Sequence, residues 1–306
     1  MRVLVVDDSP FVRGVVKSVL SKEGFEVLTA SSVKEGIEML NENPDLIILD
    51  IHLPDGEGFE ILKHYPPEKV LVFSSDKDMV LRALELGVLD FLPKPKHPGD
   101  MAKVVRLIRE VLFPEEKKPI KTPTVQKETF KPEIVVVGAS SGSPKSLIKI
   151  FSSKKVNIPV IICLHIQKSF AESFAERLGA KVIYPEGDTI SVGKYLLYPS
   201  TNYRFVSRYA IKEDKTDTPF KPSVDILFSS AAKFFKDKTL GIILSGIGKD
   251  GQKGAMEIKN FNGKVLAQDK RVAPVWGMPS AVVGIADEFL TDEGIIKHLE
   301  DWGVFG

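Results

Sequence analysis

Short apolar runs alternate with amphipathic stretches along the first third of the chain. Val3–Val6, Leu46–Leu49 and Val70–Phe73 are unbroken apolar runs of strand length. Such runs predict strands covered on both faces, as in a parallel sheet. Helical spacing fills the intervals: Val12, Val15, Val16, Val19 and Leu20 share one side of a first helix, and Met101, Val104, Val105 and Ile108 one side of a last. Five strand–helix units of this kind predict a doubly wound parallel sheet over residues 1–113.

From Pro114 to Pro132 prolines and charges interrupt any apolar period, which predicts a linker. The pattern then resumes over 133–306 as a second α/β domain. Strands are expected at Ile134–Val137, Val160–Leu164, Leu240–Leu244 and Val265–Ala267, and a helix at Val224–Phe235. Tyr195–Leu197 and Tyr203–Val206, set between turn signals, predict antiparallel strands.

Composition narrows the classes. Lys and Arg total 42 against 41 Asp and Glu in 306 residues, a net charge of +1 that leaves no electrostatic footprint for nucleic acid. The single cysteine, Cys163, excludes an intramolecular disulfide. The opening Met-Arg-Val-Leu-Val-Val-Asp-Asp breaks its apolar run too early for a signal peptide, and no window has the length of a membrane span. The expectation is a soluble cytoplasmic protein with no membrane insertion.

Ligands of an open parallel sheet bind beyond the carboxyl ends of its strands. Asp7 and Asp8 end the first strand and Asp50 the third, so three like charges crowd one crevice unless a hard cation such as Mg²⁺ lies among their oxygens. Each aspartate alone also reads as a helix cap. Lys94 adds a positive charge from the fifth strand's end, and Lys94-Pro95 is a candidate cis bond in a tight turn. With Leu53-Pro54-Asp55-Gly56 after Asp50 and Ser74 ending the fourth strand, residues 1–112 resemble a response-regulator receiver. The resemblance implies a flavodoxin-like fold and phosphoryl transfer from a histidine kinase to Asp50. It further implies Mg²⁺ on Asp7, Asp8 and Asp50, phosphoryl contacts from Lys94 and Ser74, and an aromatic switch partner at Phe91. His52 is less usual at its position, where the backbone carbonyl is the expected metal contact.

In the second domain Gly138-Ala-Ser140-Ser141-Gly142 runs from a buried strand through a glycine-flanked turn, the spacing that exposes a nucleophilic serine. Backbone N–H groups of the following helix start are then expected to face an oxyanion, whereas an ordinary helix N-cap is the competing reading of Ser140. A nucleophilic serine needs a base and an acid to orient it. After the linker only His165 and His298 are available, and His165 ends the strand Val160–Leu164 on the same edge as Ser140. His298 lies in a predicted terminal helix and is expected at the surface. Asp250, beyond the strand Leu240–Leu244, reaches the same crevice.

The order Ser140, His165, Asp250 differs from that of α/β-hydrolases. With Leu164-His165, Pro222-Ser-Val-Asp225, Gly246-Ile-Gly-Lys-Asp-Gly251 and Gly277-Met-Pro279, residues 132–306 resemble the chemotaxis protein-glutamate methylesterases. The resemblance implies hydrolysis of glutamate methyl esters on chemoreceptors without a cofactor for the esterase, with glutamine deamidation as a further activity. It places Ser141, Ile247, Gly248 and Met278 at the oxyanion hole or site lining. Ser143 stands where the family has glycine and Ile247 where it has methionine, which alters the turn rather than the nucleophile.

Three rivals share the sequence. Gly246-x-Gly248-x-x-Gly251, with Asp269 after the next strand, has dinucleotide-binding spacing, but Asp250 puts a carboxylate where a pyrophosphate must bind. A receiver with a binding output lacks a basic recognition helix. Cys163, two residues before His165, is a third candidate nucleophile, although its place inside the apolar run favours a core cysteine.

Overall fold

Five strands at 2–92 form a parallel sheet in the order β2-β1-β3-β6-β7: β1 (Arg2–Val6), β2 (Glu26–Ala30), β3 (Leu46–Asp50), β6 (Val70–Phe73) and β7 (Asp90–Leu92). A small hairpin, β4 (His52–Leu53) and β5 (Gly56–Glu57), follows β3. The computed structural model describes residues 1–74, 76–113 and 130–306. Contacts divide the chain into two units, Met1–Pro114 and Glu115–Gly306. Residues 114–129 of the expected linker lie outside the described residues, and Phe130 already packs edge-on against Trp302 at 5.0 Å in the second unit.

The helices of the first unit are α1 (Pro10–Lys22), α2 (Val33–Met39), α3 (Lys77–Leu86) and α4 (Met101–Leu112). Val12, Val16 and Leu20 of α1 and Met101, Val104 and Ile108 of α4 are buried, as their spacing predicts. The third strand–helix unit departs from expectation, since Gly58–Lys63 and Pro67–Lys69 form only 3₁₀ turns. Pro66 and Pro67 lack N–H donors, so no α-helix extends through them. Lys94-Pro95 also departs, being trans; the cis peptide among the described residues is Lys221-Pro222. Trans is the default for X-Pro, and Lys94 reaches the acidic crevice in that form.

The second unit is a seven-stranded, all-parallel sheet in the order β10-β12-β9-β8-β15-β16-β17. Its strands are β8 (Ile134–Ala139), β9 (Pro159–Leu164), β10 (Lys181–Ile183), β12 (Gly193–Leu197), β15 (Thr239–Ile243), β16 (Lys264–Gln268) and β17 (Glu288–Leu290). A three-stranded antiparallel sheet, β11 (Asp188–Thr189), β14 (Ala210–Asp214) and β13 (Asn202–Ser207), lies apart from it. The antiparallel expectation therefore holds for Tyr203–Val206 and fails for Tyr195–Leu197, whose strand β12 pairs parallel with β9 and β10. Tyr195, Leu196 and Leu197 are all buried, which fits a strand covered on both faces.

Helices α5 (Pro144–Phe151), α6 (Lys168–Leu178), α7 (Val224–Phe235), α8 (Gln252–Asn260), α9 (Gly277–Ala281) and α10 (Asp292–Asp301) complete the unit. Val224, Leu227, Phe228, Ala231 and Ala232 of α7 join the core with Ile134, Val136, Ile161 and Ile258. Strand β8 is the switch point: β9 lies on one side and β15 on the other. A crevice beyond the carboxyl ends is expected there.

Candidate functional site

Register brings two of the three residues together. In the β8–β9 ladder Ala139 faces Leu164, and the His165 N–H donates to the Ala139 carbonyl at 3.0 Å, so Ser140 and His165 leave adjacent strand ends side by side. Ser140 is buried, and its N–H donates to the Ser245 carbonyl at 3.0 Å beyond β15. Ser140 is not a helix cap. Helix α5 starts at Pro144, with Ser143 as its N-cap residue, and the Ser143 N–H donates to the Ser140 carbonyl at 3.1 Å.

His165 Nε2 lies 3.1 Å from Asp250 Oδ2 and 3.0 Å from the Pro222 carbonyl. Both partners accept only, so Nε2 carries the proton and Nδ1 keeps its lone pair. Nδ1 is buried with no hydrogen-bond partner among the described residues. Phe220 stacks on the imidazole at 5.0 Å between centroids, nearly parallel at 12°.

Asp250 fills its acceptor sites. Oδ2 also accepts from the Val224 N–H (2.8 Å), and Oδ1 from the Asp225 N–H (3.0 Å) and Ser223 Oγ (3.2 Å). Burial works to raise the Asp250 pKa, but the bond to His165, its charge and the two N–H groups outweigh burial and hold the carboxyl below its ordinary value. Cys163 is fully buried and its Sγ donates to the Pro222 carbonyl at 3.3 Å. Burial first, then the charges of Asp250 and Asp225, push its thiol well up, which removes it as a nucleophile.

The lining residues gather on the same edge. Gly246 packs so closely that a Cβ there would lie 2.3 Å from Met278 Sδ and 2.7 Å from Ser140 Cβ. The Met278 N–H is spent on the Gly246 carbonyl at 2.7 Å, so Met278 offers packing and not an oxyanion donor. Ile247 is buried and Gly248 takes a left-handed φ of 83°. Ser141 Oγ is buried without a hydrogen-bond partner among the described residues.

Sequence reasoning missed a buried polar chain behind these loops. Ser245 Oγ lies 2.9 Å from the Ser141 carbonyl and accepts from the Val275 N–H at 3.0 Å. The Ser245 N–H donates to Gln268 Oε1, and Gln268 Nε2 donates to Ser146 Oγ and Asp292 Oδ1, each at 2.8 Å. Gln268 is the polar residue that follows the apolar run Val265–Ala267, which was the available signal.

His298 stands apart from the trio. It is half-buried rather than at the surface, with Nδ1 on the Gly294 carbonyl at 2.9 Å and Nε2 on Glu288 at 3.1 Å. The dinucleotide reading fails physically: Asp225 Oδ1 accepts the N–H groups of Gly251 (2.9 Å) and Gly254 (2.8 Å), so the start of α8 is already occupied by a carboxylate.

In the first unit Asp7 and Asp50 are buried and Asp8 is exposed, and all three can offer oxygens within 4.8 Å of one another. Lys94 Nζ lies 2.5 Å from Asp50, 3.2 Å from Asp7 and 3.9 Å from Asp8. Burial raises the Asp7 pKa, and Asp50 adds to the rise against the Ser9 N–H and Lys94. Burial opposes the Lys94 charge, yet its bonds to Asp50 and Asp7 leave its pKa raised. Asp7 Oδ2 is buried with Lys94 Nζ as its neighbour at 3.2 Å, and a carboxylate oxygen grouped with those of Asp8 and Asp50 fits a hard cation. Ser74 and Phe91 are buried, Ser74 Oγ accepting the Asp76 N–H at 3.1 Å. The exposed His52 ring lies 3.5 Å from Asp76, and the His52 backbone N–H donates to Asp50 at 3.2 Å.

Comparisons with known proteins agree with both units. The response regulator receiver domain matches residues 3–106 and CheB methylesterase matches 135–299. The protein-glutamate methylesterase/protein-glutamine glutaminase of Trichodesmium erythraeum is 31% identical over 94% of this chain and 95% of its own. That of Thermotoga maritima is 31% identical over 95% of each. The crystal structure of the Thermotoga maritima CheB methylesterase catalytic domain superposes with a TM-score of 0.50 at 31% identity, covering 55% of this chain and 97% of that one. The chain therefore belongs to the CheB methylesterase family, with a response regulator receiver domain ahead of its methylesterase domain.

Proposed function

We propose that the second domain hydrolyses γ-glutamyl methyl esters on chemoreceptors with Ser140 as nucleophile, His165 as base and Asp250 as its orienting acid. One observation carries this: both neighbours of His165 Nε2 are acceptors, so the unpartnered Nδ1 is the nitrogen left to act as base, on a residue whose strand end adjoins that of Ser140. Nδ1 takes the Ser140 proton as Oγ attacks the ester carbonyl. The tetrahedral oxyanion is met by backbone N–H at Ile247, as the family resemblance implies, with Ser141, Gly248 and Met278 lining the site. Nδ1–H then protonates the departing methoxide, methanol leaves, and water attacks the acyl-serine with Nδ1 again as base, releasing the free carboxylate. Asp250 and the Pro222 carbonyl hold the Nε2 proton and stabilise the imidazolium that forms in each half. A glutamine side chain presented to the same site loses ammonia in place of methanol, the second activity in the relatives' names.

The receiver is read as the control element. Asp50 accepts a phosphoryl group from a chemotaxis histidine kinase in the cytoplasm, with Asp7, Asp8 and Asp50 as the residues that hold Mg²⁺. The ion supplies charge neutralisation of the phosphoryl oxygens. Lys94 and Ser74 contact the phosphoryl group, and Phe91 follows Ser74. Among the described residues no helix is long and apolar enough to cross a membrane. Methanol release from methylated receptor, compared between wild type and Ser140→Ala, tests the proposal; full activity in the variant overturns it.

A further inference from the structure

Two carboxylates in the second unit are exchanged between two helices. Asp250 precedes α8, yet it accepts the first N–H groups of α7, from Val224 and Asp225. Asp225 lies in the first turn of α7, yet its Oδ1 accepts N–H groups from the start of α8, Gly251 at 2.9 Å and Gly254 at 2.8 Å. A helix start leaves N–H groups without partners and favours a negative charge, and here each start is served by an acid from at or just before the start of the other helix.

The exchange is not redundant. Helix α7 has a cap of its own in Ser223, whose Oγ lies 3.4 Å from the Ile226 N–H. Helix α8 has none, because its N-cap is Gly251, which sits at a left-handed φ of 99° and has no side chain. Gly251 directly follows Asp250, so the bond from its N–H to Asp225 anchors the backbone one residue from the acid that meets His165. Asp250 Oδ2 is divided between the Val224 N–H and His165, so a shift of this backbone alters the contact with the imidazole.

We infer that Asp225 is a positioning residue for the methylesterase reaction, acting through Asp250 by holding the start of α8. The inference rests on the reading of Asp250 as the partner of His165. Its requirement is geometric, an acceptor at the Oδ1 position, and not a charge. In Asp225→Asn the amide oxygen still accepts both N–H groups, whereas Asp225→Glu keeps the charge and overshoots them by a methylene.

The test is methanol release by the full chain from methylated receptor, with far-UV circular dichroism and thermal unfolding on each variant. Asp225→Ala is expected to lower kcat about tenfold or more with KM within about twofold, Asp225→Asn to stay within about threefold, and Asp225→Glu to fall with Ala. In an Asp250→Asn background, Asp225→Ala is expected to cost less than about twofold more, because both act through one contact. Full additivity in a slow Asp250→Asn background, or activity kept by Glu and lost by Asn, overturns the inference while leaving the His165–Asp250 reading standing. Unchanged kcat in Asp250→Asn alone overturns that reading, and the inference with it. Should Asp225→Ala not fold, the contrast between Asn and Glu decides.

Discussion

The Ser245 N–H donates to the side-chain oxygen of Gln268 at 2.8 Å, deep in the methylesterase domain. Through this bond the end of β16 sets the end of β15, and Ser245 in turn holds the Ser140 N–H and the Ser141 carbonyl. Gln268→Leu leaves the Ser245 N–H, Ser146 and Asp292 without that partner. The expected cost is about 1–3 kcal/mol in stability, the usual penalty for a buried group left unpaired. A fall of about tenfold in kcat should accompany it. Thermal unfolding and methanol release check the two effects, and an active variant with wild-type stability refutes the relay.

Removing the nucleophile or its base should abolish catalysis without unfolding the domain. Ser140→Ala and His165→Ala are expected to lose at least about 1,000-fold in kcat, and Asp250→Asn somewhat less because its role is orientation. His298→Ala is expected to keep kcat within about twofold, since its bonds to Gly294 and Glu288 hold only the terminal helix. A loss in His298→Ala as deep as in His165→Ala would reassign the base.

Asp7 offers a pH-dependent test. Its folded pKa is raised, by burial above all, so the native state binds its proton more readily than the unfolded chain does. Stability contributed by this group is therefore lost as pH rises through the folded value, and the deficit persists at neutral pH. Asp7→Asn should raise the receiver's unfolding midpoint at pH 7 without Mg²⁺. The gain should vanish below the ordinary carboxylate range, near about pH 3.9. Millimolar Mg²⁺ should reverse the order at pH 7, because wild type gains a bound cation that the variant binds less well. A midpoint that falls at pH 7 contradicts a raised Asp7 pKa in the folded receiver.

Phosphorylation should map to one residue and release activity. A small phosphodonor with Mg²⁺ is expected to modify wild type but not Asp50→Asn, detectable as an 80-dalton adduct, about the mass of one phosphoryl group. Lys94→Ala should take up phosphate and respond to it weakly. A fragment of residues 132–306 should exceed the unphosphorylated full chain on receptor substrate, since the receiver is read as the control element. A folded fragment no faster than the full chain leaves direct activation by the phosphorylated receiver.

The strand-end chemistry was legible in the sequence because apolar runs and strand ends are local signals. Val3–Val6 followed by Asp7-Asp8, and Val160–Leu164 followed by His165, mark both the strand and the edge on which its last polar residue emerges. Tertiary structure alone decided the rest. Tyr195–Leu197 carries the same short apolar signal whether its neighbours run parallel or antiparallel, and only packing against β9 and β10 chose parallel. The third strand–helix unit formed 3₁₀ turns at Gly58–Lys63 and Pro67–Lys69, and Pro66 and Pro67, without N–H donors, stop any α-helix from continuing through them. Which nitrogen of His165 holds the proton depends on Pro222 and Asp250, residues 57 and 85 positions away. The exchange of Asp225 and Asp250 between helices, and the Gln268–Ser245 bond, are of the same kind. A buried polar atom must find a partner wherever folding brings one within reach, and that distance is set by the packed sheet and helices, not by spacing along the chain.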